Sequence, residues 1–436
     1  MKIRAFILTL LSAALAYGQL QQTAPADSSS GSNPVTLASE FFDRGNFVNY
    51  YAFANVVYDT NSPTLNSSGQ SVNNGGLGYS VGGGVSAFHA WNKSTLALGY
   101  SGSYNDYSSS FFASGTNQSL NLSFSQRLAR RWSFNTGVLA GNTLYGTGYF
   151  GAQTGTAGNV QLNPFSPNTR YLSGYASVAY QQNRRLSYVF TGGIYLQRFS
   201  YSGAVGTTGG NGDVAVVYRL TARTTISGDY NHSYFVYQLG AGNTNLDGVN
   251  FSYSHRFKSR WGVSASGGIT HTNASSLLNI PVPATTPNGT VVSGFLRVPY
   301  NSSAVLPAFQ GSLSRYLRRS QFSVSGGQNV ISGNGYYLAS RNQNLGGSYS
   351  RSYQRSNVSF GGYWSRLHSV TSALNYSFDT SGFGANYSYV VMRHVSANAH
   401  YDFVRYGAIS AYNSVSDNRF SLGVSFSSKS IPLTLY

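Results

Sequence analysis

In segment after segment from Phe47 to Ser428, apolar residues alternate with small polar ones. A period of two belongs to a β-strand, whose side chains point to opposite faces in turn. Leu120, Leu122, Phe124 and Leu128 fall on one face of a strand, and Ser119, Asn121, Ser123 and Arg127 on the other. Val249, Phe251, Tyr253 and Phe257 oppose Asn250, Ser252, Ser254 and Arg256 in the same way. Near the end, Phe420, Leu422, Val424 and Phe426 oppose Ser421, Gly423 and Ser425. A sheet built from such strands has one greasy side and one wet side. Everything else about the fold must accommodate that division.

Short basic turns punctuate the strands. They lie at Lys93, Arg131, Arg185, Arg223, Ser259 (within FKSRW), Arg319, Arg355 and Arg393, with a last basic position at Lys429. Differences between successive positions are 38, 54, 38, 36, 60, 36, 38 and 36, so six of eight intervals span 36 to 38 residues. Two strands of about 10–12 residues, one tight turn and one longer loop give about that length. The eight internal turns therefore make sixteen strands. A closing pair from residues 47–58 and 419–427 brings the total to eighteen. Sixteen is the alternative if residues 47–58 stay unpaired and one late hairpin is misread. An even number leaves both ends on the tight-turn side. The two long intervals read as loop insertions, near residues 143–167 and 273–302. The second holds Pro281, Pro283, Pro287 and Pro299, and proline is expected outside hydrogen-bonded strands.

Composition decides where the greasy side goes. Charged residues make up 9% of the chain, against about 25% in soluble proteins. Glu40 is the single glutamate. A soluble protein needs a charged exterior; a wall that meets hydrocarbon does not. No stretch after the N-terminus is apolar enough for a spanning helix, so a membrane form must be a closed barrel without open sheet edges. Lys2 and Arg4, the apolar run Ala5–Ala16 and the small residues Ala16 and Gly18 form a secretory signal peptide, residues 1–18. Its twelve apolar residues are too few to cross a bilayer, which takes about 20. Residues 19–46 read as a flexible polar leader, 47–428 as a transmembrane β-barrel and 429–436 as a C-terminal tail. Export makes nucleic acid an unfitting partner despite the net charge of +17. Without cysteine the chain has no disulfide, thiol chemistry or thiolate metal site.

The signal peptide, alternating strands, tight turns opposite longer loops and the late strand ending in Phe426 resemble bacterial outer-membrane β-barrel proteins, with porins nearest in architecture. The resemblance covers about residues 47–428 and is one of pattern, not of a diagnostic motif. It implies an all-β, single closed antiparallel barrel with short periplasmic turns and longer extracellular loops. It also implies insertion by the barrel-assembly machinery, outer-membrane lipids as surroundings and the oligomeric habit of many porins. Two features depart from the family. The final alternation closes at Phe426, ten residues before the last one, with Pro432 and Thr434 breaking the pattern behind Tyr436. Acidic residues are also too few for a constriction that sets basic against acidic side chains.

Candidate residues follow from the faces. Arg127, Arg219 and Arg256 lie on polar faces and would line the lumen as cations, which favours anions weakly. Trp91, Trp132 and Trp261 lie within two residues of basic turn positions and would anchor the barrel at the membrane interface. Asp229 and His232 differ by an odd number and face opposite sides of one strand. His394 and Ser396 would share a face beside a turn, but no orienting acid is identifiable, so catalysis is not expected. No spacing suggests a metal, and no cofactor is expected. The leading expectation is a channel for passive diffusion of small polar solutes. The alternative is a plugged structural or adhesive barrel acting through its loops, for which bulky residues such as Tyr195 on polar faces would argue.

Overall fold

The computed structural model describes residues 46–60, 75–108, 114–144, 168–200, 205–258, 260–285, 291–331, 339–370, 377–407, 415–428 and 431–432. The signal peptide 1–18, nearly all of the leader 19–46 and most of the 143–167 insertion lie outside these residues.

Eighteen strands form one antiparallel sheet closed on itself. They are β1 (Phe47–Asp59), β2 (Gly76–Ala90), β3 (Ser94–Tyr107), β4 (Gly115–Arg127), β5 (Trp132–Leu144) and β6 (Asn168–Gln181). Next come β7 (Leu186–Phe199), β8 (Thr207–Arg219), β9 (Thr224–Tyr237), β10 (Gly242–Arg256), β11 (Trp261–Thr285) and β12 (Val291–Tyr316). The last are β13 (Ser320–Ile331), β14 (Ser340–Ser352), β15 (Ser356–Ser369), β16 (Ser377–Met392), β17 (Val395–Tyr406) and β18 (Val415–Ser427). Each strand pairs with its chain neighbour, and β18 returns to β1 with Ala54 opposite Val424 and Asp59 opposite Arg419. The expected closing pair is therefore the one that forms.

The tail continues this seam. Ile431 and Pro432 lie opposite Val48 and Phe47, and the Tyr50 amide donates to Ser428 Oγ at 2.9 Å. The sequence alternation stops at Phe426, but strand pairing resumes at Ile431.

The eight connections on one side of the barrel are all short and coincide with the basic turns, from Trp91–Lys93 to Arg393–His394, and on the other side only β9–β10, among the described residues, is as short. Backbone bonds close them, as where the Trp91 amide donates to Ser94 O at 2.8 Å.

One expectation is overturned. The 273–302 insertion is not a loop: β11 runs to Thr285 and β12 starts at Val291, and the two stay paired throughout. Above the rim they form a two-stranded ribbon. β10 leaves β11 after Ser276, and β13 leaves β12 after Phe309. Pro281, Pro283 and Pro299 sit where each strand has one free edge, the position in which a missing N–H costs no ladder bond. Pro307 marks the departure of β12. Its carbonyl accepts from Gln328 Nε2 at 2.7 Å, so its missing N–H also faces β13. The ladder cannot continue past it on that side.

Candidate functional site

The strand pleat sorts side chains into two sets. Ile194 is 65% exposed, Phe251 68% and Leu422 67%, all on the outer wall. Their sequence neighbours Tyr195, Ser252 and Ser421 point inward. An outer band of Leu, Val, Phe and Tyr on every strand is what a closed barrel presents to lipid. The inner face is mostly Ser, Asn, Thr and Gly. Strands about 4.8 Å apart and tilted by about 40° make an eighteen-stranded wall about 35 Å across. Barrels of this size enclose an aqueous lumen unless something fills it.

Several inward-facing aromatic rings do not point into it. They lie sideways over glycines on the adjacent strand, while Phe47 stacks on Phe88 and Tyr237 bonds Thr244. A methyl placed on Gly137 would sit 2.5 Å from Tyr175 Cε1, and one on Gly382 would sit 2.5 Å from Tyr363 Cε1. The same relation joins Gly78 to Tyr107, Gly82 to Phe53, and Gly209 to Tyr195. Glycine's missing side chain creates the shelf on which the ring lies. Tyr195, the residue that suggested a blocked lumen, is 3% exposed because it lies flat in such a place between Gly209 and Phe235.

Charge is distributed unevenly along the inner face. Arg127, Arg219 and Arg256 each end a strand at the tight-turn rim. Arg127 donates to the carbonyls of Ala129 and Arg130 at 3.4 and 3.3 Å. Acids lie deeper. Asp213 and Asp229 face inward on β8 and β9, and Asn250 Nδ2 donates to Asp229 Oδ2 at 3.0 Å. At the loop end, Arg419 makes two bonds to Asp59, at 2.6 and 3.2 Å, with Asp59 fully buried. Asp402 lies opposite Arg419 and bonds His400 Nε2. Asp417 accepts from Thr60 Oγ1 at 3.5 Å. Around the ring from this group lies an apolar cluster of Tyr195, Phe235, Tyr237, Leu246 and Val330, with Leu306 against it. One sector of the mouth is thus charged, and the sector across the lumen is apolar.

Sequence reading missed the Asp59–Arg419 pair and its neighbours. The signal was partial: the expected closing pair, 47–58 with 419–427, ends one residue before Asp59, and the register that sets Asp59 opposite Arg419 comes from the structure. The Asp213–Asp229 pair was likewise legible once β8 and β9 were set in register.

The outer wall carries the tryptophans. Trp91 is exposed beside His89, ring to ring 4.2 Å. Trp132 packs on Tyr180 at 4.7 Å, and Arg315 lies 5.0 Å over the Trp261 ring. All three stand at the tight-turn level of the barrel. His232 faces outward and Asp229 inward, on opposite sides as their spacing requires. The acid that His232 does meet is Asp247 across the strand, at 2.8 Å, which also accepts from Tyr230. His394 sits in a turn with Nδ1 3.0 Å from Ser427 O and does not meet Ser396. Among the described residues no group of three or more His, Asp or Glu is placed to hold a metal.

A closed barrel with an apolar outside and a polar, glycine-shelved inside defines a transmembrane β-barrel. No family model and no curated protein matches the chain. Among solved structures it is similar to a BenF-like porin from Pseudomonas fluorescens Pf-5, at 11% identity and TM-score 0.43, over 88% of this chain and 99% of that one. It is also similar to OccAB1 of Acinetobacter baumannii, at 10% identity and TM-score 0.42, over 88% and 98%. The ferric-catecholate import receptor Fiu of E. coli K12 overlaps at 7% identity and TM-score 0.41, over 88% and 82%. Overlaps at this level carry no argument about solute or mechanism.

Proposed function

We propose that this chain is a bacterial outer-membrane channel through which small polar solutes diffuse passively. The carrying observation is the sideways packing of the inner rings. Tyr51, Phe53, Tyr107, Tyr175, Tyr195 and Tyr363 lie over glycines of adjacent strands instead of pointing at the axis. Rings packed in this way support a water-filled middle in a wall about 35 Å across. Selection would come from lining polarity and width, without energy coupling. The arginines at the tight-turn rim support a weak anion preference there, while Asp213 and Asp229 oppose it deeper in. The mouth, charged on one side and apolar on the other, suits solutes that combine a polar end with an apolar flank.

Purified protein reconstituted in planar bilayers should give defined conductance steps. A second reading, a blocked barrel working through its loops, draws on one observation. Ser302 Oγ donates to Val370 O at 3.1 Å, so β12 leans over the short β13–β14 hairpin at the mouth. Electrical silence of correctly folded protein would favour it and overturn the channel.

A further inference from the structure

The outward-facing arginines fall into two kinds. Three have a partner within the wall. Arg366 makes two bonds to Asp379, at 2.6 and 2.8 Å. Arg315 lies over Trp261 and Arg351 over Tyr353, each at 5.0 Å. Arg341 and Arg405 bond no described neighbour and stand apart from other arginines, opposite His368 and Ser381; Arg170 and Arg198 are different. They stand directly opposite each other on β6 and β7. Both are exposed, on the same face as Leu172 and Ile194. Neither bonds, pairs or stacks with any described residue.

Two guanidinium groups held face to face repel, and like charges directly opposite destabilise a strand pair. Arginine on a lipid-facing wall adds a desolvation cost that falls only toward the interfaces. This pair therefore favours an anion, and the described residues supply none. Apart from Asp27, Glu40 and Asp43 in the leader, every carboxylate is placed elsewhere: Asp59, Asp402 and Asp417 at the seam, Asp213 and Asp229 in the lumen. Asp106, Asp247 and Asp379 bond Ser114, His232 and Arg366. The connections nearest the pair, residues 145–167 and 201–204, contain no Asp or Glu.

Position identifies the missing anion. Arg198 lies twelve residues after Leu186, where β7 leaves its tight turn. With a rise of about 3.3 Å per residue and a tilt of about 40°, that is about 30 Å above the turns. The apolar band of such barrels is about 25 Å tall. The pair thus stands at the headgroup level of the leaflet on the loop side. Phosphate is the anion found there, and arginine's fork of N–H donors binds it with two parallel bonds. We propose that Arg170 and Arg198 form a binding site for the phosphate of an anionic lipid headgroup. The site rests on the reading of the outer wall as lipid-facing.

The test is native mass spectrometry of the full protein in neutral detergent, titrated with phosphatidylglycerol or with diacylglycerol of the same chains. The wild type should retain one phosphatidylglycerol at least tenfold more tightly than the Arg170→Gln/Arg198→Gln variant. Diacylglycerol should bind both equally and weakly. Equal retention of phosphatidylglycerol by wild type and variant overturns the site. So does wild-type retention of diacylglycerol as strong as that of phosphatidylglycerol. Displacement of the lipid by millimolar inorganic phosphate would assign the pair to a free ion and also overturn it. An electrophoretic shift between unheated and boiled samples reports folding separately. A wild type without that shift would sink the barrel, not the site. Should the variant alone fail to fold, the wild-type contrast between the two lipids decides.

Discussion

Gly137 offers the sharpest test of whether a glycine shelf holds a ring out of the lumen. It is buried on β5 opposite Tyr175 of β6, and the three atoms nearest an added methyl, at 2.5, 3.0 and 3.1 Å, all belong to the Tyr175 ring. Gly137→Ala therefore meets the Tyr175 side chain first. In a strand, alanine is otherwise better than glycine by about 0.5–1 kcal/mol. Displacing a seated ring costs about 1–3 kcal/mol. The net expectation for Gly137→Ala is destabilisation of about 0.5–2 kcal/mol. In a Tyr175→Ala background the obstacle is gone, and the same change should stabilise by about 0.5 kcal/mol. The sign should thus reverse, with a coupling of about 1–3 kcal/mol. Urea unfolding from lipid vesicles, followed by tryptophan fluorescence, reads all four proteins of the cycle. Single-channel recordings add an independent readout, because a ring driven off its shelf turns into the lumen. Gly137→Ala should lower conductance only where Tyr175 is present. An identical cost in both backgrounds, with unchanged conductance, would refute the shelf.

Other expectations concern charge and the membrane boundary. Asp59→Asn takes from buried Arg419 the carboxylate that makes two bonds to it and should cost about 3 kcal/mol, lowering the temperature at which the gel shift is lost. Asp59→Asn/Arg419→Gln should be milder than the single change. Replacing Arg127, Arg219 and Arg256 together by Gln should move the bilayer reversal potential toward cations, and Asp213→Asn with Asp229→Asn toward anions. Both shifts should shrink between about 0.01 M and 1 M salt as the screening length falls from about 30 to 3 Å. Trp132→Ala should cost about 1 kcal/mol through its stack on Tyr180, and more in bilayers than in detergent if the residue anchors the interface.

The strand count, the turns and the closing pair could be read from sequence because each rests on a local rule repeated many times. Alternation gives the faces, basic residues mark the turns, and their even spacing gives the hairpins. The 273–302 segment escaped because its prolines look like loop residues. They fit a strand once one edge is free, and which edge is free depends on where β10 and β13 end. The tail escaped for a similar reason: Ile431 and Pro432 pair with β1 across an interruption that breaks the alternation. The height of Arg127, Arg219 and Arg256 at the tight-turn rim needed strand boundaries. Asp59 with Arg419, and the opposed Arg170 and Arg198, needed register between neighbouring strands. Composition and period fix which way a residue points, not whom it meets.

The seam between β1 and β18 joins Asp59 to Arg419 across a sequence separation of 360 residues. Until the eighteenth strand is in place, the sheet has two raw margins, each a row of unanswered amides and carbonyls that oil cannot satisfy. A shortened molecule lacking residues from Val415 onward would be no smaller version of this one: it would be a ribbon with nothing to fasten to. Assembly is consequently all or nothing, and everything made earlier must be kept from sticking to its neighbours until the clasp arrives.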